Sequence, residues 1–293
     1  MSRTLNIVGC GRVGRALGAL LVRNSICTRV AICNRTVESS ARAATFVPSS
    51  VAVSSIAELP AADCWMLACA DSAIRDVVSA LADTSALTPG ALVFHVSGAL
   101  SSHELSPLAE FGAKLGSLHP VRSIASPELV VSSFGGTVCA IEGEPTAVSD
   151  LRGIVERIGG RPFEVDARSK LICHAGHVFA SNYVVTVLDV ARRLYAEAGI
   201  PDHVVEMMLP PIVRGTIENV CALGTTAALT GPVARGDVDL VRQQLRGLSE
   251  LNPEVAALYR ELVRHAAHLA ARRGEIAPSS LSELERIARG ELS

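Results

Sequence analysis

The amino-acid sequence predicts an α/β protein in which a doubly wound parallel sheet is followed by an all-α domain. Short β-rich runs alternate with helical runs through the first half of the chain, strand signals end near residue 165, and long helical runs follow. At 293 residues the chain is also longer than one hydrophobic core usually serves. These observations together favour two domains.

The first half of the chain contains eight predicted strands, at residues 5–9, 29–34, 51–53, 65–70, 91–96, 114–117, 137–142 and 163–165. Helical patterns lie between several of them, at residues 13–23, 72–82 and 146–158. Strands that alternate with helices in this way are typical of a parallel sheet covered on both faces.

The second half contains five predicted helices, at residues 168–198, 202–223, 237–248, 253–273 and 280–289. Glycine- and proline-containing turns separate them, for example Gly199-Ile200-Pro201. We therefore predict a nucleotide-binding domain over residues 1–166 and a helical domain over residues 167–293.

The composition argues against several classes of partner. The formal net charge is −2, which gives no electrostatic reason to expect binding to nucleic acid or to a membrane surface. Aromatic residues make up only 3% of the chain, so platforms for stacking single-stranded bases are not expected. A small-molecule substrate is the expected ligand.

The cysteines and the apolar segments bear on location and metal binding. The eight cysteines contain no CxxC pair, so we expect reduced thiols and no metal site. The start of the chain has no signal-peptide pattern. The most apolar long segment is interrupted by His177, Asn182 and Asp189, so it is not expected to cross a membrane. The chain is expected to be cytoplasmic.

A glycine-rich turn follows the first predicted strand and opens a helix. It matches the pattern GxGxxG and consists of Gly9, Cys10, Gly11, Arg12, Val13 and Gly14. In a dinucleotide-binding site the first glycine makes the tight turn, the second lets the backbone approach pyrophosphate, and the third lets the helix pack on the strand. The helix N-terminus then faces the anion. The sequence predicts a Rossmann domain, the alternative being an ordinary glycine-rich turn.

The end of the second predicted strand indicates which cofactor is bound. An NAD site usually carries an acidic residue there, about 20 residues beyond the glycines, to bind the ribose 2′-hydroxyl. This chain has Asn34, Arg35 and Thr36 instead. A guanidinium can bind a 2′-phosphate through two charge-assisted hydrogen bonds. The sequence therefore predicts NADP(H), the alternative being that Arg35 is a solvated turn residue.

Further candidate residues follow later strands, at the carboxyl ends where open α/β sheets bind ligands. Ala70, Ser97 and Gly98 are expected to contact the cofactor, with Ser97 and Gly98 near the nicotinamide. The next strand brings His119 to the same edge, where it is a candidate substrate-binding residue with a structural role as the alternative.

Four polar residues form a stripe on the first long helix of the second half. Lys170, His174, His177 and Ser181 recur at helical spacing on an otherwise apolar helix, and Asn182 lies beside them. The stripe is either a catalytic face or a satisfied buried network. Because like charges disfavour joint protonation and burial acts in the same direction, we expect at least one of these groups to have a lowered pKa.

The motifs resemble one bacterial family throughout the chain. They are, in order, Gly-Cys-Gly-Arg-Val-Gly, His-Val-Ser-Gly-Ala, Ser-Leu-His-Pro, Lys-Leu-Ile-Cys-His-Ala, Ala-Ser-Asn and Leu-Thr-Gly-Pro-Val-Ala-Arg-Gly-Asp. That family pairs a Rossmann-like NADP-binding domain with a helical domain of unknown function. The sequence is more distantly similar to ketopantoate reductases, pyrroline-5-carboxylate reductases and β-hydroxyacid dehydrogenases.

The distant resemblance implies a helical domain like the C-terminal domain of 6-phosphogluconate dehydrogenase, which binds substrate and forms dimers. In ketopantoate reductases and β-hydroxyacid dehydrogenases a lysine is followed four residues later by an asparagine. Lys170 matches the lysine, but residue 174 is histidine and the nearest asparagine is Asn182. Lys170, His174 and Asn182 are thus the candidate catalytic residues, with Lys170 or His174 as proton donor.

A turn between two C-terminal helices is a candidate clamp for a substrate carboxylate. Thr230, Gly231 and Arg235 would form it, the alternative being a helix cap by Asp237 beside a surface arginine. We predict an NADP-dependent reductase of a small 2-keto acid, ketopantoate-like. The alternatives are an imine reductase of the pyrroline-5-carboxylate type and a non-catalytic NADP-binding regulator. The apolar runs 178–194 and 204–221 predict a homodimer through the helical domain.

Overall fold

The structure, a computed structural model, describes residues 3–291 of the chain. They form two compact units that divide between Val184 and Val185. The first unit is the sheet with its covering helices, and the second is entirely helical among its described residues. The boundary near residue 166 stays a prediction about functional domains.

The first unit is built on one eight-stranded sheet, so the predicted α/β class is confirmed. Its strands are β1 (Arg3–Val8), β2 (Cys27–Cys33), β3 (Ser50–Val53), β4 (Cys64–Leu67), β5 (Leu92–His95), β6 (Lys114–Pro120), β7 (Val138–Gly143) and β8 (Arg161–Glu164). Their order in the sheet is β3-β2-β1-β4-β5-β6-β7-β8. The chain thus winds outward from β1 in both directions, as in a doubly wound fold.

One strand pair departs from the predicted parallel arrangement. β6 and β7 are antiparallel, with Ser117 opposite Glu142, whereas all the other neighbouring strands are parallel. The carboxyl ends of β1, β2, β4, β5 and β6 therefore share one edge of the sheet, with the reversal of strand order between β1 and β4. Open α/β sheets bind ligands at such a reversal.

Helices cover both faces of this sheet. The helices of the first unit are α1 (Arg12–Arg23), α2 (Val37–Ala44), α3 (Ile74–Ala82), α4 (Pro127–Ser132), α5 (Pro145–Arg157) and α6 (Lys170–Ala180). Residues of α1, α4 and α5 pack in one hydrophobic core, while residues of α3 and the 3-10 helix Ser102–Phe111 pack in a second. Two cores on opposite faces are what a doubly wound sheet requires.

The prediction of one helix over residues 168–198 is wrong in one respect, because the helix is interrupted at Ser181. That residue has φ −131° and ψ −70° and separates α6 from α7 (Asn182–Glu197). The Ser181 hydroxyl donates to the His177 carbonyl at 2.7 Å, a local bond that competes with the helix ladder. Among residues 3–291, the stretch Ala167–Glu197 alone is long and apolar enough, by length and composition only, to cross a membrane.

The second unit contains most of α7 and five further helices, α8 (Asp202–Ala228), α9 (Pro232–Arg235), α10 (Val238–Leu251), α11 (Pro253–Arg273) and α12 (Pro278–Ala288). Its core joins α9, α10, α11 and α12 through buried apolar residues such as Val241 and Leu284. The α11 bounds match the prediction because Asn252 caps its first turn and Gly274 ends it in the left-handed region. α8 runs past its predicted end, with non-helical backbone at Gly224.

Candidate active site

The turn between β1 and α1 has the geometry that a dinucleotide-binding turn needs. Gly9 has φ +82°, and a Cβ there would lie 2.4 Å from the backbone of Cys69. A Cβ on Gly14 would lie 3.2 Å from the Ala68 side chain, so helix and strand are in close contact there. A Cβ on Gly11 would meet nothing within 4 Å. The first glycine is thus required by the protein itself and the third is closely packed, while the second faces open space.

The open space at Gly11 lies at the N-terminus of α1. No side chain caps this helix, and its first turn contains Arg12 and Val13 but no acidic residue. The first N–H groups of a helix have no partners within it and carry a partial positive charge. A turn with these features fits an anionic pyrophosphate, which Gly11 would allow to approach the backbone.

The end of β2 joins this turn through Asn34. The amide oxygen of Asn34 accepts from the Cys10 backbone N–H at 2.6 Å, and its amide nitrogen donates to the Ser39 hydroxyl at 3.1 Å. Thr36 caps α2 by accepting from the Ser39 N–H. These two side chains shape the turn, whereas Arg35 is exposed and has no protein partner within residues 3–291. Arg35 is thus free to bind an anion.

The loops after β4 and β5 are tied together by Ser97. Its hydroxyl donates to the Asp71 carboxylate at 2.8 Å and accepts from the N–H groups of Ala99 and Leu100 at 3.1 and 3.0 Å. Asp71 therefore binds Ser97 instead of capping the following helix α3, whose N-cap makes no side-chain bond. Ala70 is exposed immediately before Asp71, on the same edge of the sheet.

Gly98 lies beneath two histidine rings. A Cβ on Gly98 would lie 2.5 Å from Cδ2 of His174 and 2.8 Å from Nε2 of His119. No L-side chain fits there without moving a ring, so the backbone after β5 contacts both imidazoles directly. The predicted cofactor-binding residue Gly98 and two of the predicted site histidines are therefore neighbours in the structure.

Three imidazoles form one cluster at this edge, which we call the histidine cluster: His119, His174 and His177. The ring centroid of His119 is 5.7 Å from that of His174 and 5.8 Å from that of His177, and the last two are 6.4 Å apart. The stripe predicted on α6 thus meets the end of β6. Within residues 3–291, no group of three or more His, Cys, Asp or Glu residues has the geometry of a metal site.

The proton position on His119 follows from its partner. Nδ1 lies 3.2 Å from the Val96 carbonyl, and since a carbonyl oxygen only accepts, Nδ1 carries the hydrogen. Nε2 of the neutral ring is then an acceptor, and it lies over Gly98. Burial, together with the charges of His174, His177 and Lys170, lowers the pKa of His119 to about 4. The ring is therefore neutral at pH 7.

His177 is the least satisfied member of the cluster. Its Nδ1 is buried and has no hydrogen-bond partner among the described residues, while Nε2 lies 3.7 Å from the sulfur of Cys173. Burial and the charge of His174 lower the pKa of His177. The expectation that a group on this stripe has a lowered pKa is confirmed, with burial as the main cause.

Lys170 lies deeper than the histidine cluster. Its ammonium donates to the Ser117 hydroxyl at 2.5 Å and to the Ser97 carbonyl at 3.2 Å, and lies 3.6 Å from the Glu142 carboxylate. The residue is 1% exposed. Burial lowers the pKa of Lys170, and the charge of Glu142 opposes that effect. The catalytic role of Lys170 stays a prediction.

Glu142 is a site residue that sequence reasoning missed. Its carboxylate accepts from the Ser102 N–H at 3.0 Å, the Ser102 hydroxyl at 2.6 Å and the Ser117 hydroxyl at 3.0 Å. Burial acts to raise the pKa of Glu142, but the Ser102 bonds and the charge of Lys170 outweigh it and lower the pKa. A carboxylate within the apolar run Val138–Gly143 was the available signal.

The remaining predicted site residues come later in the sequence than the histidine cluster. Asn182 begins α7, and its amide oxygen lies 2.9 Å from the Ser181 hydroxyl. In the second unit Asp237 caps α10 by accepting from Leu240 N–H, so the helix-cap alternative is confirmed for that residue. The carboxylate-clamp role of Thr230, Gly231 and Arg235 stays a prediction.

Comparisons with known proteins agree with this architecture. Residues 2–120 match the Rossmann-like domain family, and residues 137–266 match a family described as a domain of unknown function, DUF2520. No curated protein is significantly similar to the chain.

Solved structures are similar over nearly the whole chain. A candidate NADP oxidoreductase from Bacteroides fragilis is 21% identical with a TM-score of 0.76, covering 90% of this chain and 98% of that one. A protein from Thermotoga maritima is 23% identical with a TM-score of 0.70, covering 92% and 98%. An imine reductase from Myxococcus stipitatus, solved with NADP+, is 16% identical with a TM-score of 0.65, covering 96% and 99%.

At these identities the likeness establishes the fold. The predicted resemblance is confirmed: the chain joins a Rossmann-like domain to a DUF2520 domain and has the fold of NADP-dependent oxidoreductases.

Proposed function

We propose that the protein is an NADP(H)-dependent reductase of a small molecule that carries a C=O or C=N bond. One observation carries the proposal. The open space over Gly11 and the histidine cluster over Gly98 lie at the same edge of one sheet, at the ends of β1 and β5. A cofactor held at the first place and extended along that edge reaches the second, as ligands do in open α/β sheets.

The chain's residues fit the cofactor at each of its charged parts. Gly11 and the α1 N-terminus would hold the pyrophosphate, with Cys10, Arg12 and Val13 contributing backbone. The exposed guanidinium of Arg35 would bind the 2′-phosphate that distinguishes NADP from NAD. When bound, NADPH supplies a hydride from its nicotinamide ring. Ser97 and Gly98 would hold the ring end, because their loop is fixed by Asp71.

The predicted 2-keto acid requires the chain to deliver a proton to the oxygen that receives charge. His174 is the group placed to do so, because its ring lies against Gly98, and His177 belongs to the same cluster. Arg235 as a clamp for the carboxylate belongs to the same proposal.

A specific observation favours the imine alternative. Nε2 of His119 lies over Gly98 as a hydrogen-bond acceptor. The ring is neutral at pH 7, so Nε2 carries no proton to donate. A protonated imine arrives with its own N–H and a positive charge, so it needs an acceptor where a carbonyl needs a donor. The imine reductase of similar fold is consistent with this chemistry.

The experiment is NADPH oxidation, followed by absorbance, against matched panels of 2-keto acids and of cyclic and secondary imines. Turnover in either panel supports the reductase, and the panel that reacts identifies the bond. Tight NADPH binding without turnover in either panel would favour a non-catalytic NADP-binding regulator. Absence of NADPH binding by a folded protein would overturn the proposal.

We also propose that the chain forms a homodimer. Large apolar side chains are exposed along the predicted interface runs, including Phe179, Tyr183, Val185, Met207 and Ile217. Exposed large apolar side chains in this number are unfavourable in water and are typical of an interface. Light scattering at micromolar concentration should give twice the chain mass of 30.7 kDa. A mass of one chain would contradict the proposal.

A further inference from the structure

We infer that Glu142 is a positioning residue, which holds the Ser97–Gly98 turn in place through Lys170, and that Lys170 acts by position instead of by donating a proton to substrate. The inference rests on the proposed function, in that this turn is the proposed nicotinamide end of the site.

Glu142 can hold Lys170 because its own position is fixed from two sides. It lies in β7 opposite Ser117 of β6, and the two side chains are joined by a 3.0 Å hydrogen bond. Ser102, at the start of the 3-10 helix, donates to the same carboxylate through both its N–H and its hydroxyl. A buried carboxylate with three donors is rigid, and its remaining charge faces the Lys170 ammonium.

Lys170 is enclosed by acceptors of the protein. Its ammonium donates to the Ser117 hydroxyl and to the Ser97 carbonyl, and the Glu142 carboxylate lies 3.6 Å away as its ion-pair partner. The side chain is 2% exposed. To protonate a substrate, Lys170 would have to leave a buried anion unpaired, which is strongly unfavourable.

The effect of Lys170 reaches the site through the Ser97 carbonyl. That carbonyl belongs to the peptide bond that continues into Gly98, and Lys170 binds it at 3.2 Å. From the other side, the Ser97 hydroxyl binds Asp71. The turn is therefore clamped between a buried cation and an anion, directly beneath the rings of His119 and His174. A shift of the ammonium would move the Gly98 backbone and both rings with it.

A double-variant cycle tests the inference: Glu142→Gln, Lys170→Met and the two combined. Either single change leaves a buried partner without its counter-charge, whereas the combined change removes both charges together. We expect each single variant to lose kcat/KM about 10- to 100-fold, as misplaced groups do. The combined variant should lose about as much as Lys170→Met alone, because the Ser97 carbonyl loses the same bond in both. Losses of the two single variants that multiply in the combined variant would overturn the inference, because Glu142 would then act independently of Lys170.

A second readout keeps the test independent of turnover. NMR signals of the Gly98 amide and the His119 ring should shift in Glu142→Gln and in Lys170→Met, and those of the combined variant should resemble the signals of Lys170→Met. Unchanged signals in Glu142→Gln would overturn the inference even where Lys170→Met fails to fold. NADPH titration of the unaltered protein tests the proposed function separately.

The chain offers a matched control in its only other lysine. Lys114 binds Asp150 at 3.0 Å, and Arg3 binds the same carboxylate at 2.8 Å. Lys114 begins β6, at the opposite edge of the sheet from His119. The variants Lys114→Met and Asp150→Asn should leave the Gly98 and His119 signals unchanged. Equal shifts in these controls would show that any loss of charge moves the turn and would overturn the specific role of Glu142.

Discussion

The imidazole of His119 stacks on that of His177, with ring centroids 5.8 Å apart and ring planes inclined by 20°. His119 ends a strand of the nucleotide-binding sheet, and His177 lies on the first helix after that sheet. This contact places the polar stripe of α6 at the edge of the sheet where the Gly98 turn lies.

The pKa values of the buried histidines predict how stability depends on pH. Burial is the main cause that lowers the pKa of His119 to about 4 and that of His95 to about 4, against an unfolded value of about 6.5. Between about pH 4 and about pH 6.5, the unfolded chain therefore binds more protons than the folded one. The free energy of unfolding should therefore fall as pH falls from about 6.5 to about 4, by up to about 3 kcal/mol for each histidine.

NMR titration of the imidazole signals checks this directly. His119 should remain neutral and in its Nδ1–H form throughout the range above pH 5. His119→Gln should make the stability profile less steep over the acid range, because the contribution of His119 is lost while that of His95 remains. A His119 signal that titrates near pH 6.5 would contradict the predicted burial.

Gly98→Ala should disturb the site, because the new methyl group would lie within 3 Å of atoms of His174 and His119. Displacing packed groups of this kind typically costs about 1–3 kcal/mol. We expect a lower melting temperature and altered signals from both rings. Gly153→Ala is the control: a Cβ on this α5 glycine meets nothing within 4 Å, so the variant should be as stable as the unaltered protein or up to about 1 kcal/mol more stable. A Gly98→Ala variant as stable as the unaltered protein would show that Gly98 is not closely packed.

Gly11→Ala separates binding from folding. The added methyl group meets no protein atom within 4 Å, so the melting temperature should be unchanged. It would occupy the space proposed for pyrophosphate, and NADPH affinity should fall by about tenfold or more, since about 1.4 kcal/mol is one decade. Gly135→Ala, also without contacts within 4 Å, should bind NADPH normally. Unchanged affinity in Gly11→Ala would place the cofactor elsewhere.

Arg35→Asp tests cofactor choice. Charge-assisted hydrogen bonds contribute about 1.5–3 kcal/mol, so the variant should lose about 10- to 150-fold in NADPH affinity. NADH affinity should change little or rise, because an acidic residue there can bind the ribose hydroxyls. Calorimetry of both cofactors on both proteins measures the preference. Equal affinity of the unaltered protein for NADPH and NADH would refute the role of Arg35.

Much of the fold could be predicted because its signals are local. All eight strands were predicted from short β-rich runs, and α11 was bounded by its proline and glycine. The antiparallel direction of β7 could not be predicted, since the same run suits either direction. The break at Ser181 also escaped prediction, because the residues on both sides of it continue the helical pattern.

The site was predictable where spacing determines it and not where tertiary contacts do. The α6 stripe of Lys170, His174 and His177 follows from helical periodicity, and the glycine turn follows from its position after β1. Glu142 and Ser117 are adjacent only through the antiparallel pairing of β6 and β7. The direction of the Lys170 ammonium depends on that pairing. The sequence alone therefore left open whether the α6 stripe is a catalytic face or a buried network.

A crystal structure of the protein with NADPH tests the central claim most directly. The account predicts the pyrophosphate against Gly11, the 2′-phosphate at Arg35, and the nicotinamide ring over Gly98 within contact of the histidine cluster. Lys170 should keep its bonds to Ser117 and the Ser97 carbonyl in that complex. A nicotinamide ring bound away from Gly98, with no contact to the ring of His119 or His174, would contradict the account.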